Sequence, residues 1–491
     1  MLNQLKTISK DTLIYGIGNG AGGIVSFLLL PLYTKFLTPD DYGYLAIFFV
    51  FQSVVEITAV FGLSSGLFRY YLMAKDKAEQ EIVLATSFWM QMMFILLLSI
   101  AAFPLAGQLS VALFGSREFS RFFVMVTATG ILSAIGGFVS SFMRAKRKPA
   151  IFATVQVVKV VLLALVNIYL VAVRHWSYFG IIAGNLAVFI LISIVLLIWF
   201  SRFIHLSFSF AYCKRLLIFI SPIYVVNVFF FVLSLSDRFF LNHFLSPKEV
   251  GLYSFGNKIG SIVMIGVITP FSTAVVPYAL SIVKESHFKE TYAKIMKYFL
   301  LILVFLSICI FYFSKEVVSA VSNSSYADSS GIVGPILLSS IFYALYYNLS
   351  IAIDIVEKTY LATIIVLAGA VVSLSLNYST IPLLGMYGSA LSSCVSNAVL
   401  FLFTYFLCQK YFPIHYEKAA FFRLLFIVLV YAAFYLWVGA SGLPAVVTLP
   451  AKISMCIVFP VVLYVLHVLD GKEREYVRNR MQKLVMSSKQ R

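Results

Sequence analysis

Charge is scarce in this 491-residue chain. Asp, Glu, Lys and Arg together make up 12% of it, while hydrophobic residues make up 61%. A soluble globular chain carries roughly a quarter charged residues, so a water-soluble fold is excluded at the outset. Acidic residues are the scarcest charges, 20 against 37 Lys and Arg, which leaves a formal net charge of +17. Histidine and cysteine are few as well. The histidines (His175, His205, His243, His287, His415, His467) are scattered among loops and span ends without ligand spacing. The cysteines (Cys213, Cys309, Cys394, Cys408, Cys456) lie in or beside apolar runs with no paired spacing. They read as small core hydrophobes, so neither a disulfide framework nor a metal site is supported. No glycine-rich phosphate loop followed by Lys and Ser or Thr occurs. Outward loops large enough to carry an enzyme's active site are missing too, and that argues against a polymerase, ligase or glycosyltransferase.

What is present is a succession of apolar runs long enough to cross a bilayer. They lie near residues 12–34, 42–64, 84–106, 119–141, 150–173, 178–200, 216–241, 251–280, 294–314, 331–353, 360–377, 384–408, 420–440 and 446–468. The first run is too long for a signal peptide and lacks a small-residue cleavage site, so it reads as an uncleaved span. The pattern predicts an all-α polytopic membrane protein of about fourteen transmembrane helices. Lys and Arg cluster at Arg69–Lys77, Arg144–Lys148, Arg202–Arg215, Lys284–Lys297, Lys410–Arg423 and beyond Lys472. About 27 basic residues fall on the side shared with the N-terminus and about 8 on the other, which the positive-inside rule reads as two cytoplasmic termini. The net charge is therefore topological, and nucleic acid is a poor explanation of it.

The chain also repeats itself. Phe36-Leu37-Thr38-Pro39-Asp40-Asp41-Tyr42-Gly43 matches Phe244-Leu245-Ser246-Pro247-Lys248-Glu249-Val250-Gly251 at a spacing of 208 residues. Lys148 with Lys358, Asn167 with Asn377 and Gly180 with Gly388 are weaker echoes. Six spans separate the copies, so both have the same orientation and a pseudo-twofold axis along the membrane normal relates them. Two parallel six-helix lobes (1–208 and 209–409) follow, with two additional helices and a basic tail at 410–491. An Asp-Asp pair on an outward loop invites a catalytic reading, yet both copies fit a helix start better. Thr38 or Ser246 serves as N-cap, Pro39 or Pro247 as first helical residue, and Asp41 or Glu249 closes a capping box.

Polar residues recur at helical spacing within the spans, where by default they face a protein interior or an aqueous cavity. Tyr15, Asn19, Gly22 and Ser26 line up on the first span; Gln52 and Glu56 lie on the second; Gln156, Lys159 and Asn167 share a face of the fifth. The seventh carries Asn227, Ser234 and Arg238 with Asp237 adjacent, the eighth Ser254, Asn257, Lys258 and Ser261, and the tenth Tyr343, Tyr347, Ser350 and Asp354. Arg69, Arg144 and Arg423 lie at inner span ends, where snorkelling to headgroups is the alternative. Asp237 and Arg238 read equally as a self-satisfied pair or as part of a gate. Lys159 and Lys258 lie deeper, where snorkelling is harder and a cavity role is favoured. The candidate substrate-binding set is Lys159, Lys258, Arg69, Arg238, Arg144, Asn19 and Asn227. Glu56, Asp237 and Asp354 are the candidates for coupling or gating, and there are no catalytic or metal-ligand candidates. A lumen with more cations than anions suits an anionic cargo such as phosphate or pyrophosphate.

The chain resembles bacterial polysaccharide-biosynthesis flippases of the Wzx type, in the multidrug/oligosaccharidyl-lipid/polysaccharide exporter superfamily. The residues that carry the likeness are Leu28-Leu29-Leu30-Pro31-Leu32-Tyr33 running into the first motif copy, Gly62-Leu63-Ser64-Ser65-Gly66-Leu67-Phe68-Arg69, and Ser236-Asp237-Arg238-Phe239-Phe240-Leu241 leading to the second copy and Leu252-Tyr253. The resemblance implies two lobes that open alternately to the two sides of the bacterial cytoplasmic (inner) membrane. It implies an undecaprenyl-pyrophosphate-linked oligosaccharide as cargo, moved to the outer leaflet for O-antigen-like polysaccharide synthesis, with cationic cavity residues holding it. The last two spans, absent from twelve-span drug exporters, are expected to guide the lipid tail. No cofactor is implied, although proton or sodium coupling stays open. The expected partners are the lipid-linked oligosaccharide, membrane lipids, a polysaccharide polymerase and chain-length proteins, around a monomer. An ion-coupled drug or metabolite antiporter is an alternative. A peptidoglycan-precursor flippase ranks lower, because its first-span pattern Ser-Arg-x-x-Gly-Phe-x-Arg is not visible here.

Overall fold

The structure, a computed structural model, describes residues 22–356, 358, 360–440, 444–468, 470, 471 and 473–475. Among the described residues there is no strand, and thirteen helices are long and apolar enough to cross a membrane. They follow α1 (Leu30–Phe36), which is the end of the first apolar run. In the stretch 1–208, expected from the repeat as a first lobe, there follow α2 (Pro39–Met73), α3 (Lys77–Phe114), α4 (Ser120–Ala145), α5 (Pro149–Val173) and α6 (Ser177–Ser201). In the stretch expected as the second, 209–409, are α7 (Phe210–Phe244), α8 (Pro247–Ile282), α9 (Phe288–Tyr312), α10 (Ser324–Ile355), α11 (Tyr360–Leu384) and α12 (Met386–Tyr411). The appended pair is α13 (Ala419–Gly439) and α14 (Val446–Val465), packed against α9. The fold is all-α and polytopic, as the apolar runs predict. In hydrocarbon every backbone N–H and C=O must be bonded within the protein, and a helix does this unaided.

Most helices outrun the apolar stretch that marks them. The tenth run begins at 331, but α10 starts at Ser324 with a 3₁₀ segment, Ser324–Ile332, that hydropathy cannot register. Inside α2 the chain breaks at Phe61 and Gly62, whose φ values are 44° and 75°. Glycine takes that left-handed conformation without steric cost, whereas Phe61 is strained by it. The break turns Leu63 and Gly66 onto Leu216 and Ile220 of α7. A single π turn ends α5 at Tyr169–Val173, and another interrupts α8 at Met264–Ile268.

Successive helices alternate in direction, so the starts of α2 and α8 share one rim of the bundle and the basic loops share the other. At this capped rim the first motif copy forms a complete capping box. The Asp41 amide donates to Thr38 Oγ1 and the Thr38 amide to Asp41 Oδ2, both at 3.2 Å. Asp41 Oδ2 also accepts from Ser177 Oγ at 2.9 Å, tying the start of α2 to that of α6. In the second copy the Glu249 amide donates to Ser246 Oγ at 3.4 Å. The reciprocal carboxylate bond is not formed there among the described residues.

The two copies meet. Helices α2 and α8 cross at Gly43 and Gly251, where backbone lies on backbone. A Cβ added to Gly43 would sit 1.8 Å from the Pro247 carbonyl oxygen, and one on Gly251 would sit 1.9 Å from that of Pro39. Around this crossing Thr34 Oγ1 donates to the Val321 carbonyl at 2.7 Å, Asn323 Nδ2 to Thr34 O at 2.9 Å and the Tyr326 hydroxyl to Leu37 O at 3.1 Å. Asn242 Nδ2 donates to Leu113 O at 2.7 Å. All four bonds join the first lobe to the second on the capped rim.

The unequal caps give a stability prediction. Thr38→Ala should cost about 1 kcal/mol, the usual worth of an N-cap, and lower the thermal unfolding midpoint of the detergent-solubilised protein. Glu249→Gln should leave that midpoint unchanged. The reverse order would contradict the cap geometry.

Candidate functional site

Below the crossing lies a cavity of about 430 Å³ between the lobes, walled by α1, α2, α5, α6, α7 and α8. The first lobe supplies amides and hydroxyls. Asn167 Nδ2 on α5 donates to the Tyr33 hydroxyl and to Asn185 Oδ1 on α6, both at 3.2 Å. The second lobe supplies cations. Lys258 on α8 reaches across to donate to Ser26 Oγ, and Arg238 on α7 also lines the wall.

Arg238 does not present a bare charge. Its Nη1 lies 2.7 Å from Asp237 Oδ1 and donates to the Ser234 carbonyl at 2.9 Å. Asp237, 3% exposed, accepts at Oδ2 from the Tyr253 hydroxyl at 2.6 Å. Tyr253 in turn receives a 3.4 Å bond from Asn257 Nδ2 and places its ring 5.4 Å from the guanidinium. A buried charge is tolerable when paired and hydrogen-bonded, and here the pair also locks α7 to α8. Lys258 differs: among the described residues no carboxylate lies within ion-pair reach of it.

The remaining candidates are dispersed. Lys159 does not line this cavity. Its neighbour Val160, with Leu163, Ala164 and Asn167, forms the cavity-facing stripe of α5. The i, i+3, i+4, i+7 pattern is thus anchored one residue beyond the lysine, about 100° round the helix. Lys159 instead holds its ammonium 5.7 Å from the Phe189 ring, within electrostatic range of Glu56. Arg69, Arg144 and Asp354 are exposed at the basic rim. Arg69 lies 4.5 Å over Phe219, and Arg144 donates to Ser141 Oγ at 2.9 Å. Asn227 is exposed on α7. Asn19, like Tyr15, falls outside the described residues. Tyr33, Asn185 and Tyr253 join the site, though none belongs to the candidate binding or gating set. Their signal was an uncharged polar group inside an apolar run, which a search weighted towards charge passes over.

A second, larger groove of about 1000 Å³ opens at the basic rim among α9, α10, α12 and α13. Its walls are apolar, with Leu301, Leu345, Phe401, Phe406 and Leu424, and a polar clasp stands at its mouth. Lys297 bridges Glu417 at 3.0 Å and both Asp470 and Glu473 at 3.1 Å, and Tyr298 donates to Glu473. Burial works to raise the Asp470 carboxyl, but the Lys297 hydrogen bond and charge outweigh it and hold it below the usual range. Glu473 is likewise held low against burial, by Tyr298, the Asp470 amide and Lys297.

A family model described as "Polysaccharide biosynthesis protein" matches residues 32–331. Two proteins of Haemophilus influenzae are similar in sequence. An Lsg locus protein is 23% identical over 290 residues, 57% of this chain and 67% of its own length. An uncharacterized membrane protein is 25% identical over 308 residues, 58% of this chain and 68% of its own. Among solved structures, the lipid II flippase MurJ in an inward closed conformation superposes with a TM-score of 0.72 at 14% identity, covering 93% of this chain and all of that one (100%). An inward-facing multidrug resistance MATE transporter gives 0.66 at 13% identity over 80% of this chain and 94% of its own. These likenesses establish the fold.

The clasp carries a pH prediction. Carboxyls whose values are lowered on folding contribute stability that is present above their ordinary range, near 3.9 for Asp and 4.3 for Glu, and that is lost as pH falls through the lowered values. The protection factors of the amides at 470, 471 and 473–475, taken relative to intrinsic exchange at each pH, should therefore hold from neutral pH down to about pH 5 and fall below about pH 4. Lys297→Ala should lower them already at neutral pH. An unchanged profile in that variant would rule the clasp out.

Proposed function

Since the chain belongs to the polysaccharide biosynthesis protein family, whose Wzx-type members it resembles, we propose that it flips an undecaprenyl-pyrophosphate-linked oligosaccharide from the inner to the outer leaflet of the bacterial cytoplasmic membrane, for O-antigen-like polysaccharide synthesis. The observation that carries this reading is the inter-lobe cavity, with Lys258 facing a wall of amides and hydroxyls. A pyrophosphate needs charge-assisted hydrogen bonds, and Lys258 provides them with no competing carboxylate among the described residues, while Arg238 adds donors on a neutralised frame. Asn167, Asn185 and Tyr33 suit sugar hydroxyls. The cavity is at the small end of ligand sites, about 300–1,000 Å³, and fits the head of such a cargo rather than its whole length. The apolar groove beside α13 suits a polyprenyl chain.

The lobes 1–208 and 209–409 are the moving parts in this reading, and 410–491 is the appended unit. The basic rim faces the cytoplasm by the positive-inside rule, together with both termini, and the capped rim faces outward. The state described is then closed outward. Asp237 is committed to Arg238 and Tyr253, which leaves Glu56 as the better candidate for proton or sodium coupling. A polymerase and chain-length proteins would receive the product, and a monomer suffices for the cycle. The lipid II flippase, whose fold spans 93% of this chain, favours a lipid-linked sugar over a drug as cargo, and a peptidoglycan precursor is the second reading.

Reconstituted flipping of lipid-linked oligosaccharide at matched protein levels tests the proposal. Removing one charge-assisted contact costs about 1.5–3 kcal/mol, so Lys258→Ala should slow flipping roughly ten- to a hundredfold. Lys258→Arg should retain more, and Lys159→Ala, being off the cavity wall, should lose less than Lys258→Ala. Wild-type flipping by the Lys258→Ala protein would remove the pyrophosphate role.

A further inference from the structure

We infer that the two copies of the repeated motif together form the outward seal of the transport path, and that Gly43 and Gly251 are the residues that allow it to close. The inference rests on the alternating-access reading above and concerns how one end of the path is shut. The sequence explains the Thr-Pro-x-Asp and Ser-Pro-x-Glu portions of the motif as helix starts, but a helix start does not require a glycine at the fifth helical residue. The crossing does. Each glycine sets its Cα–H against the other helix's proline carbonyl, the close approach that Cα–H···O contacts and small-residue helix pairs permit. The relation is reciprocal, Gly43 to Pro247 and Gly251 to Pro39, as a pseudo-twofold axis through the crossing demands. The inter-lobe bonds of Thr34, Asn323, Tyr326 and Asn242 ring the same place.

A methyl at either glycine would need a carbon 1.8 or 1.9 Å from a carbonyl oxygen. Backbone lies on both sides, so no side chain can swing away, and the helices themselves must part. In the outward-open state the crossing is already apart and the methyl meets nothing. The penalty therefore falls on one state alone and shifts the equilibrium between the two. The bonds around the crossing break together when it opens, because the groups that make them belong to different lobes.

The test reads the accessibility of the cavity, which needs no cargo. Place a single reporter, Ser53→Cys, in the cavity wall after replacing the five native cysteines by alanine, and label it in oriented vesicles with an impermeant charged thiosulfonate from each side. Gly43→Ala and Gly251→Ala should raise the ratio of capped-rim to basic-rim labelling by about tenfold or more, the scale of an overpacked contact. Gly137→Ala, whose added methyl has nothing within 4 Å, should leave it unchanged. An unaltered ratio in inserted Gly43→Ala and Gly251→Ala proteins overturns the inference. Should those variants not insert, a short bifunctional thiol reagent joining Thr34→Cys to Val321→Cys tests the same seal. Flipping should stop on cross-linking and return on reduction, and undiminished flipping by the cross-linked protein overturns the seal. A chain that opens this seal but moves no lipid-linked oligosaccharide would lose the proposed cargo and keep the seal.

Discussion

The structure turns on the approach of two backbones at the capped rim. Without Cβ atoms at Gly43 and Gly251, α2 and α8 come together until helix meets helix, and the two lobes share a seam there. Within a membrane no hydrophobic force draws helices together, so close packing and interhelical hydrogen bonds must supply the attraction. The crossing provides the first and its ring of Thr34, Asn323 and Tyr326 bonds the second. Everything beneath it follows from that contact: the cavity has a roof because the lobes touch above it.

Beneath the roof the frame is symmetric and the chemistry is not. At the spacing of 208 residues, Val50 stands where the second lobe has Lys258, and Leu30 where it has Arg238. The repeat thus frames the cavity with two like halves, one lining it with the cations Arg238 and Lys258 and the other with the amides Asn167 and Asn185. The Asp237–Arg238–Tyr253 cluster illustrates how a charge is kept inside a bundle: each member is bonded to another, and the guanidinium still reaches the wall. Among the described residues Lys258 is held by a hydroxyl across the seam and by no carboxylate. A loosely held cation between two lobes suits a cargo that must be bound and then released.

Hydropathy carried the architecture. Among the described residues the apolar runs are helices because unpaired backbone is intolerable in hydrocarbon, a constraint so strong that composition alone reports it. The repeat was legible too, and with it the capping box at Thr38, since caps depend on residues close in sequence. What depends on distant residues was harder to see. The motif's glycines read as part of a helix start until the partner helix was in place. Lys159 seemed to share a cavity face with Asn167, but the wall of α5 runs through Val160, and an offset of one residue turns a side chain by about 100°. Tyr33 and Asn185 are not legible as site residues, because an uncharged side chain in an apolar run says little until its partner is known.

The central claim is that the lobes, joined at the capped rim, move against one another as units. Spin labels at Arg121→Cys and Lys315→Cys span the capped rim between lobes, and labels at Arg147→Cys and Lys289→Cys span the basic rim. Double electron–electron resonance on each pair in lipid nanodiscs, with and without undecaprenyl pyrophosphate, measures the motion directly. The account predicts that the two distance distributions shift in opposite senses, the capped rim widening as the basic rim narrows. Distances that stay fixed at both rims, or that widen together, would contradict it.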